Sequence, residues 1–509
     1  MNWSRRSFIK ASAAGIAATG LSSPLWAKPT APGGTDASVG YFERFGVNKD
    51  IIRKVMATAL ETGGDFADLY FQHKVTNYFI LRDGAVNQAY GQVGLGVGIR
   101  VVKGDQVGFG FSEDLSLSAM QQTARTASVI ASGAAGKVPD TFQFSKNLPS
   151  RYQTQIPWDQ VRAEEKLPLL NGINEKTFKM DKRVVKANIT FMDESEAILV
   201  ATSDGKLLED IRPMTLLYLT CVAEQDGKRE SNTYGVAGRE DRSFYSSDRI
   251  ERIVKSAVDR TTILFDAVPA PAGEMPIVMA AGASGILLHE AIGHGMEADF
   301  NRKGVSIYSD KLNKSIAQPF VNIVDEATQN GARGAINFDD EGNPADKTML
   351  VENGILTTYL HDQISAKHYK LKPTGNGRRE SYKYAPMPRM RSTYMLPGPH
   401  KEAEIVQSVK KGIYCENFTN GQVNIGAGDF TFYVKNGYLI EDGKLTKPIK
   451  DINIIGNGPK VLEKIDMVAD NLVVDEGGWT CGKNGQSVPV SQGIPTVRVS
   501  SITVGGRNA

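Results

Sequence analysis

The sequence has few cysteines, no block of basic residues and no long apolar run. Each shortage excludes some classes of function. Three cysteines leave at least one thiol unpaired in an exported protein, although Cys221 and Cys415 could form a disulfide. The net charge is only +2, so we expect neither nucleic acid nor an anionic membrane surface as a partner. No Ser-His-Asp arrangement, G-x-S-x-G elbow or dinucleotide-binding fingerprint is evident.

The length and composition indicate a soluble protein with more than one domain. At 509 residues the chain is too long for one ordinary core, so two domains of about 200 residues or more are expected. Apolar residues make up 41% and charged residues 23%, a balance typical of globular proteins. We place the boundary at Pro269-Ala-Pro-Ala-Gly273, which gives an N-terminal domain at 45–268 and a C-terminal domain at 269–509.

The first 27 residues have the pattern of an export signal. Arg5 and Arg6 precede a modestly apolar run, and Ala27 ends the segment with a small residue, as in twin-arginine signals. The apolar run is shorter than the roughly 20 residues of a membrane span, so no stable membrane anchor is expected. Cleavage after Ala27 lowers the net charge from +2 to −1. The sequence therefore predicts export to the periplasm, with a flexible linker at 28–44.

The rest of the chain predicts an α+β fold. Helical periodicity favours helices at 51–60, 115–131, 164–180 and 247–267. Between them lie short apolar runs separated by turn residues, including separate strands at 184–190 and 196–202. Gly91–Gly98 is glycine-rich without a helix after it, so a strand is favoured over a dinucleotide loop. After residue 269 strands predominate, with a turn expected at Asn436-Gly437, which indicates a largely antiparallel, barrel-like domain.

The chemistry of the chain is concentrated at residues 285–299. Two of the six histidines, His289 and His294, lie five residues apart, and Glu290 follows the first directly. Imidazoles are common ligands of divalent metals, and a carboxylate beside a metal-activated water suits hydrolysis. The alternative is a pair of helix histidines that cap or pair, with Glu290 solvated. Glu297 and Asp299 either orient a histidine N–H or cap the end of the helix.

The five-residue spacing requires a distortion if both histidines bind one ion. At 3.6 residues per turn, positions i and i+5 lie about 140° apart on a regular α-helix. One turn with i→i+5 hydrogen bonds would bring the two rings together, and such turns occur at functional sites. Gly293 has the backbone freedom to accommodate it. We therefore predict a locally widened helix at 291–293.

With its surroundings, the motif resembles the TldD/PmbA family of metalloproteases, and specifically the TldD-like catalytic subunit. The likeness runs from about residue 45 to the C-terminus. PmbA-like subunits lack the histidine motif, which this chain has. The blocks that carry the likeness, besides His289–His294, are Asp68–Gln72, Asp226–Glu230, Ala270–Gly273, Asp299–Arg302, Pro373–Tyr382, Met387–Met390, Thr393–Gly398, Cys481–Pro489 and Thr503–Gly506.

The resemblance implies a zinc site and a peptidase activity. It adds Cys481 as the third metal ligand beside His289 and His294, a ligand set that suits Zn²⁺. Glu290, directly after a ligand histidine, is predicted to be the general base in the hydrolysis of peptides or unfolded polypeptide segments, with a structural carboxylate as the alternative. Members of the family work as dimers, so a PmbA-like partner subunit or a homodimer is expected.

Two further questions remain open from the sequence. Arg378, Arg379 and Tyr382 could bind a peptide carboxylate or carbonyl, or they could form surface ion pairs. The whole chain could also be a non-catalytic, zinc-stabilised scaffold or partner subunit of a TldD/PmbA-like complex. A metal-dependent hydrolase that acts on a non-peptide bond would use the same ligands.

Overall fold

The computed structural model of the chain describes residues 40–131, 133–145, 149–152 and 154–505. The predicted export signal at 1–27 and most of the predicted linker at 28–44 lie outside those ranges. Across the ranges that are described, no helix combines the length and the apolar character needed to cross a bilayer.

The N-terminal part of the fold is one seven-stranded sheet. Its strand order is β3-β2-β1-β5-β6-β4, with β7 paired to β6, and all of its pairs except β4–β6 are antiparallel. The strands are β1 Phe66–Arg82, β2 Ala85–Lys103, β3 Gln106–Ser112, β4 Gln143–Phe144, β5 Val184–Thr202, β6 Lys206–Gln225 and β7 Lys228–Gly238.

Several of these strands are much longer than the sequence pattern predicted. The prediction of separate strands at 184–190 and 196–202 is wrong, because β5 runs unbroken for 19 residues. The acidic residues that interrupt its apolar pattern have partners inside the fold. Asp193 lies 2.6 Å from the Lys166 ammonium, and Glu194 lies 3.1 Å from that of Lys74. A charged residue that is paired in this way does not end a strand.

Helices cover this sheet at the places where the periodicity predicted them. Each contributes to one of two apolar clusters, built on β1–β2 and on β5–β6. The side chains of Asn48, Ser116 and Ser246 accept backbone N–H groups at three helix starts, as capping residues do. The helices are α1 Lys49–Ala59, α2 Leu117–Ser128, α3 Ala163–Met180 and α4 Ser247–Thr262.

The C-terminal part is built around a closed barrel. Strand β24 pairs with both β9 and β18, which closes the cycle β9-β16-β17-β18-β24. This confirms the α+β fold with a barrel-like C-terminal region. The strands are β8 Val268–Pro269, β9 Gly273–Met279, β10 Ile323–Glu326, β11 Thr348–Glu352, β12 Ile355–Leu356, β13 Gly377–Arg378, β14 Met387–Pro388, β15 Ser392–Met395, β16 Lys411–Val423, β17 Asp429–Glu441, β18 Lys444–Asn457, β19 Ile465–Val468, β20 Val473–Asp475, β21 Thr480–Lys483, β22 Gln486–Pro489, β23 Ser491–Ile494 and β24 Val497–Gly505.

The helices of this part are short and lie between the strands. Their bounds are α5 Ile286–Leu288, α6 Ala298–Arg302, α7 Gln363–Tyr369, α8 Glu402–Gln407 and α9 Gly458–Lys464. Helix α5 and the residues that follow it pack into the same apolar core as the barrel strands.

The turn predicted at Asn436-Gly437 is wrong, because both residues lie within β17. The Asn436 amide donates a 3.0 Å hydrogen bond to the carbonyl oxygen of Arg260, so its side chain is used in a long-range contact instead of a turn. A Cβ atom on Gly437 would lie 2.4 Å from the carbonyl oxygen of Tyr414. Asparagine and glycine are therefore needed here for close packing between elements, a cause that is invisible in a local sequence pattern.

The N-terminal sheet and the C-terminal part meet at the glycine-rich stretch of β2. A Cβ atom on Gly96 would lie 2.3 Å from the Tyr382 ring, and one on Gly98 would lie 2.4 Å from the Tyr382 carbonyl oxygen. The prediction of a strand at 91–98 is confirmed. Its glycines allow another part of the chain to approach the backbone closely.

Candidate metal centre

The histidine motif forms a helix that is widened for one turn. The chain is α-helical through α5, π-helical at His289–Gly293 and 3₁₀-helical at His294–Met296. The backbone N–H of His294 donates to the carbonyl oxygen of His289, five residues back. The predicted distortion is therefore confirmed, and it begins at His289 rather than at residue 291. It brings the two imidazole rings to a centroid separation of 5.0 Å.

Gly293 serves the packing of this helix rather than its backbone angles. Its φ of −58° and ψ of −51° are ordinary helical values that any residue adopts. A Cβ atom at this position would lie 2.0 Å from the Met390 sulfur. The expectation that Gly293 supplies backbone freedom is thus corrected, since the glycine makes room for a buried side chain.

Cys481 reaches the histidines from a short hairpin. Strands β21 and β22 pair with each other, and Asn484-Gly485 between them has positive φ at both residues, as two-residue hairpin turns require. Arg389, which is fully buried, donates to the carbonyl oxygens of Cys481 and Gln486 and so anchors both strands. The thiol is therefore held on a hairpin strand.

The three predicted ligands converge on one point. Candidate donor atoms of His289, His294 and Cys481 all lie within 4.8 Å of one another, and the three residues are only 4%, 5% and 1% exposed. The Cys481 sulfur lies 3.5 Å from His294 Nε2. Tetrahedral zinc, with Zn–S of about 2.3 Å and Zn–N of about 2.0–2.1 Å, separates sulfur and nitrogen by about 3.6 Å. The arrangement therefore fits a zinc ion with the remaining position left for water or substrate.

The charges around this cluster favour a thiolate. Burial disfavours the ionised thiol, but the adjacent imidazoles of His289 and His294 outweigh it and lower the pKa of Cys481 well below its usual value. The thiolate is the form of cysteine that binds metals. For His294, burial lowers the pKa because it disfavours the charged ring. The negative charges of Glu297 and Cys481 outweigh burial and raise that pKa well above its ordinary value.

The structure assigns different roles to Glu297 and Asp299, which the sequence left undecided. His294 Nδ1 donates to Glu297 Oε2 at 3.0 Å, so Glu297 orients the His294 ring in the way that outer carboxylates orient histidines at zinc sites. The Glu297 side chain makes no capping hydrogen bond to α6. Asp299 instead accepts from the Lys483 ammonium at 2.7 Å. Burial raises the pKa of Glu297, but Lys483 and His294 outweigh it and lower that pKa to about 2.

Glu290, the predicted general base, directly follows the proposed ligand His289 in the widened turn. Its side chain is half-buried, so solvent reaches it. Among the described residues its carboxylate has no hydrogen-bond or ion-pair partner, in contrast to the paired Glu297. A carboxylate that no hydrogen bond or ion pair holds in place is available to contact a water molecule.

The suggestion that Arg378, Arg379 and Tyr382 form surface ion pairs is wrong, because all three side chains are buried. Their binding of a peptide carboxylate or carbonyl stays a prediction. Arg378 donates to the carbonyl oxygens of Met390 at 2.6 Å and Pro489 at 2.8 Å, and so links β22 to the residue that packs against Gly293. Arg379 donates to Asp68 of β1 at 2.9 Å and joins the two parts of the fold. Tyr382 is only 3% exposed.

The remaining histidines and cysteines stand apart from the site. No second group of three His, Cys, Asp or Glu side chains in the described part of the chain could hold a metal ion, so His73, His361, His368 and His400 are outside any such cluster. Cys221 and Cys415 are buried free thiols, and the disulfide considered from the sequence is not formed.

Lys483 is the residue that the sequence analysis missed. Its ammonium contacts both Glu297 and Asp299, and its side chain is 3% exposed. The available signal was its position two residues after Cys481, because residues i and i+2 of a strand lie on one face.

Models of one protein family match most of the chain. They are the PmbA/TldA metallopeptidase domain 1 at residues 67–131, the central domain at 156–265 and the C-terminal domain at 272–506. The last of these contains His289, Glu290, His294 and Cys481. The matched ranges avoid the predicted export signal.

Relatives across bacteria and archaea carry names that agree with these models. A metalloprotease TldD homolog of Haemophilus influenzae is 40% identical over 87% of this chain and 93% of its own length. A zinc metalloprotease TldD homolog of Saccharolobus solfataricus is 28% identical over 89% of this chain and 99% of its own length.

Solved structures share the fold at low sequence identity. A proposed DNA gyrase modulator from Thermotoga maritima superposes with a TM-score of 0.74 at 21% identity, over 91% of this chain and 100% of the other. TldE from Thermococcus kodakarensis superposes with a TM-score of 0.69 at 17% identity, over 90% and 99% of the two chains. At these identities the likeness shows the architecture alone.

Proposed function

Because this chain belongs to the PmbA/TldA family of metallopeptidases, we propose that it is a zinc-dependent peptidase that hydrolyses peptides or unfolded polypeptide segments. The observation that carries this proposal is the convergence of His289, His294 and Cys481, whose candidate donor atoms lie within 4.8 Å of one another. Glu290 beside them supplies the carboxylate that peptide hydrolysis needs. The choice of zinc is supported by the name of the Saccharolobus solfataricus relative, a zinc metalloprotease that this chain matches over 99% of its length.

The protein's own residues divide the chemical work. His289, His294 and Cys481 would hold the metal, and Glu297 keeps the His294 ring in place by accepting its Nδ1 proton. A bound zinc ion would lower the pKa of a water molecule and stabilise the negative charge that develops on the carbonyl oxygen of the substrate. Glu290 accepts the proton of the attacking water and delivers it to the leaving amine nitrogen.

The depth of the site supports the substrate class. The three proposed metal-binding side chains are at most 5% exposed. Buried ligands are more accessible to a narrow, extended segment than to the broad surface of a folded domain. We therefore propose short peptides and unfolded segments as substrates, with either a PmbA-like subunit or a second copy of this chain as partner.

Metal removal tests this function directly. The purified mature protein is expected to contain about one zinc ion per chain and to cleave an unstructured peptide library. Chelation should abolish cleavage, and added zinc should restore it, because the proposed chemistry depends on the ion. Metal content, cleavage by mass spectrometry and oligomeric mass are measured on the same sample, alone and with a PmbA-like subunit.

The outcomes of that experiment separate the alternatives. Cleavage that appears only with the added subunit would identify a required partner. Bound zinc without cleavage in either condition would contradict the peptidase and favour the zinc-stabilised scaffold. Cleavage that survives chelation, in a protein sample shown to contain no zinc, would contradict the metal mechanism.

We also propose that the protein is exported by the twin-arginine route to the periplasm, from the pattern of residues 1–27. Changing Arg5 and Arg6 together to lysine preserves the charge but removes the arginine pair that the route reads. Cell fractionation should then find the variant inside the cytoplasm and the unchanged protein in the periplasm. Equal export of both would exclude this route.

A further inference from the structure

Lys483 places a buried positive charge beside the proposed metal centre. Its side chain is 3% exposed, and Nζ lies 2.7 Å from Asp299 Oδ1, 3.1 Å from Glu297 Oε2 and 3.1 Å from the carbonyl oxygen of Pro388. The ammonium donates hydrogen bonds to the Asp299 and Pro388 oxygens and forms an ion pair with Glu297. The same nitrogen lies 4.2 Å from the centre of the Phe300 ring. A side chain held on four sides has a fixed position.

The strand that carries Lys483 also carries the metal-binding thiol. Cys481 and Lys483 are two residues apart on β21, and both are buried while Thr480 and Gly482 are exposed. Alternate residues of a strand lie on the same face. Strand β21 therefore brings a thiol and an ammonium to the same side, at a fixed separation along the strand.

These contacts form a closed circuit around the site. Glu297 Oε2 accepts from His294 Nδ1 at 3.0 Å and lies 3.1 Å from Lys483 Nζ. The other nitrogen of His294 lies 3.5 Å from the sulfur of Cys481, which is on β21 together with Lys483. The orientation of the His294 ring is thus fixed from both ends by one strand.

The Glu297 carboxylate depends on Lys483 in particular. Glu297 is fully buried, and a buried carboxylate without a positive partner is strongly disfavoured. The other cation near it, Arg389, donates its hydrogen bonds to the backbone oxygens of Cys481 and Gln486. Lys483 is the cation that contacts the Glu297 oxygen facing His294.

We propose that Lys483 is a positioning residue of the metal centre, which acts through Glu297 to hold His294 with Nε2 directed toward Cys481. This role rests on the proposed zinc site. Lys483 touches neither the metal ligands nor the reacting atoms in this role. The competing explanation is that Lys483 only fastens the β21–β22 hairpin to α6 through Asp299.

A double-mutant cycle distinguishes the two explanations. Zinc and cobalt affinities are measured by competition titration for the full mature chain, Lys483→Met, Glu297→Gln and the double variant. Lys483→Met is expected to weaken zinc binding about 10- to 100-fold, as changes to outer partners of metal ligands do. In the Glu297→Gln background the same change should cost less than about threefold, because the carboxylate through which it acts is gone.

The absorption spectrum of bound cobalt provides a readout beyond affinity. If Lys483 positions His294, the ligand-field bands of cobalt should shift in Lys483→Met and match those of Glu297→Gln. A pure fastening role predicts unchanged bands and an equal loss of zinc affinity in both backgrounds. Either of those two results would overturn the proposal.

Lys166 offers a matched control for the loss of a buried lysine. Its side chain is 4% exposed and lies 2.6 Å from Asp193 in the N-terminal sheet region. Lys166→Met should lower the melting temperature without changing zinc affinity. If Lys483→Met does not fold, Lys483→Gln, which keeps an N–H donor, takes its place in the same cycle.

This test does not depend on peptide cleavage. A chain that binds zinc and shows the expected cycle but cleaves no peptide would leave the role of Lys483 intact and remove the peptidase. A mature chain that binds neither zinc nor cobalt would contradict the metal centre and this role with it.

Discussion

Glu290→Gln is expected to lower peptide cleavage by about 10²- to 10⁴-fold, the usual contribution of a general acid–base group. Glutamine has nearly the shape of glutamate but cannot accept the proton of the attacking water. Because Glu290 has no hydrogen-bond or ion-pair partner among the described residues, its replacement should leave the fold and zinc binding unchanged. The measurements are kcat on an unstructured peptide, zinc content and melting temperature.

Glu416→Gln is the control for this substitution. Glu416 is also half-buried, but it lies on β16 and outside the segment 285–299 that carries the histidine motif. The Glu416→Gln variant should cleave the peptide as fast as the unchanged protein. If Glu290→Gln cleaves as fast as the unchanged protein while holding zinc, Glu290 is not the base. If neither the unchanged protein nor the variant cleaves, with or without a partner subunit, the scaffold explanation gains support.

Cys481→Ala is expected to weaken zinc binding by more than about 100-fold, beyond the effect of losing an outer partner of a ligand. The substitution removes one of three protein ligands and the only negatively charged one. Cleavage should disappear together with the metal. Zinc content after dialysis and competition titration measure the loss, and His294→Ala should give the same result.

Cys415→Ala is the matched control, because it removes another buried free thiol from the barrel core. It should cost some stability through the small cavity it leaves, without changing zinc content. Zinc retained at full affinity in Cys481→Ala would show that another residue is the third ligand.

The widened turn that carries His289 and His294 could be predicted from the sequence because its cause is local. Hydrogen bonds in a helix join residues four or five positions apart, so the spacing of His289 and His294 carries the information about the widened turn. The same locality explains why the helices on the N-terminal sheet were predicted close to their observed ends. Cys481 had no such local signal, and only the resemblance to a family related it to the histidines.

The errors arose where a residue is chosen for a distant contact. The sequence could not indicate that Arg379 is paired with Asp68, because more than three hundred positions separate them along the chain. Asn436 and Gly437 have turn-forming preferences, but they are used for packing inside a strand. In each case the local preference is weaker than the free energy of burying and pairing the group in the folded protein.

The sequence by itself determined the α+β class, the widened helix that aligns two histidines and the carboxylate beside them, because these depend on composition and on short-range periodicity. Only the tertiary structure decided that Glu297 orients His294 while Asp299 binds Lys483, and that Gly293 exists to admit Met390. Those choices depend on which elements meet in the closed barrel and its hairpin. Contacts between distant segments have no period along the chain, so no spacing in the sequence records them.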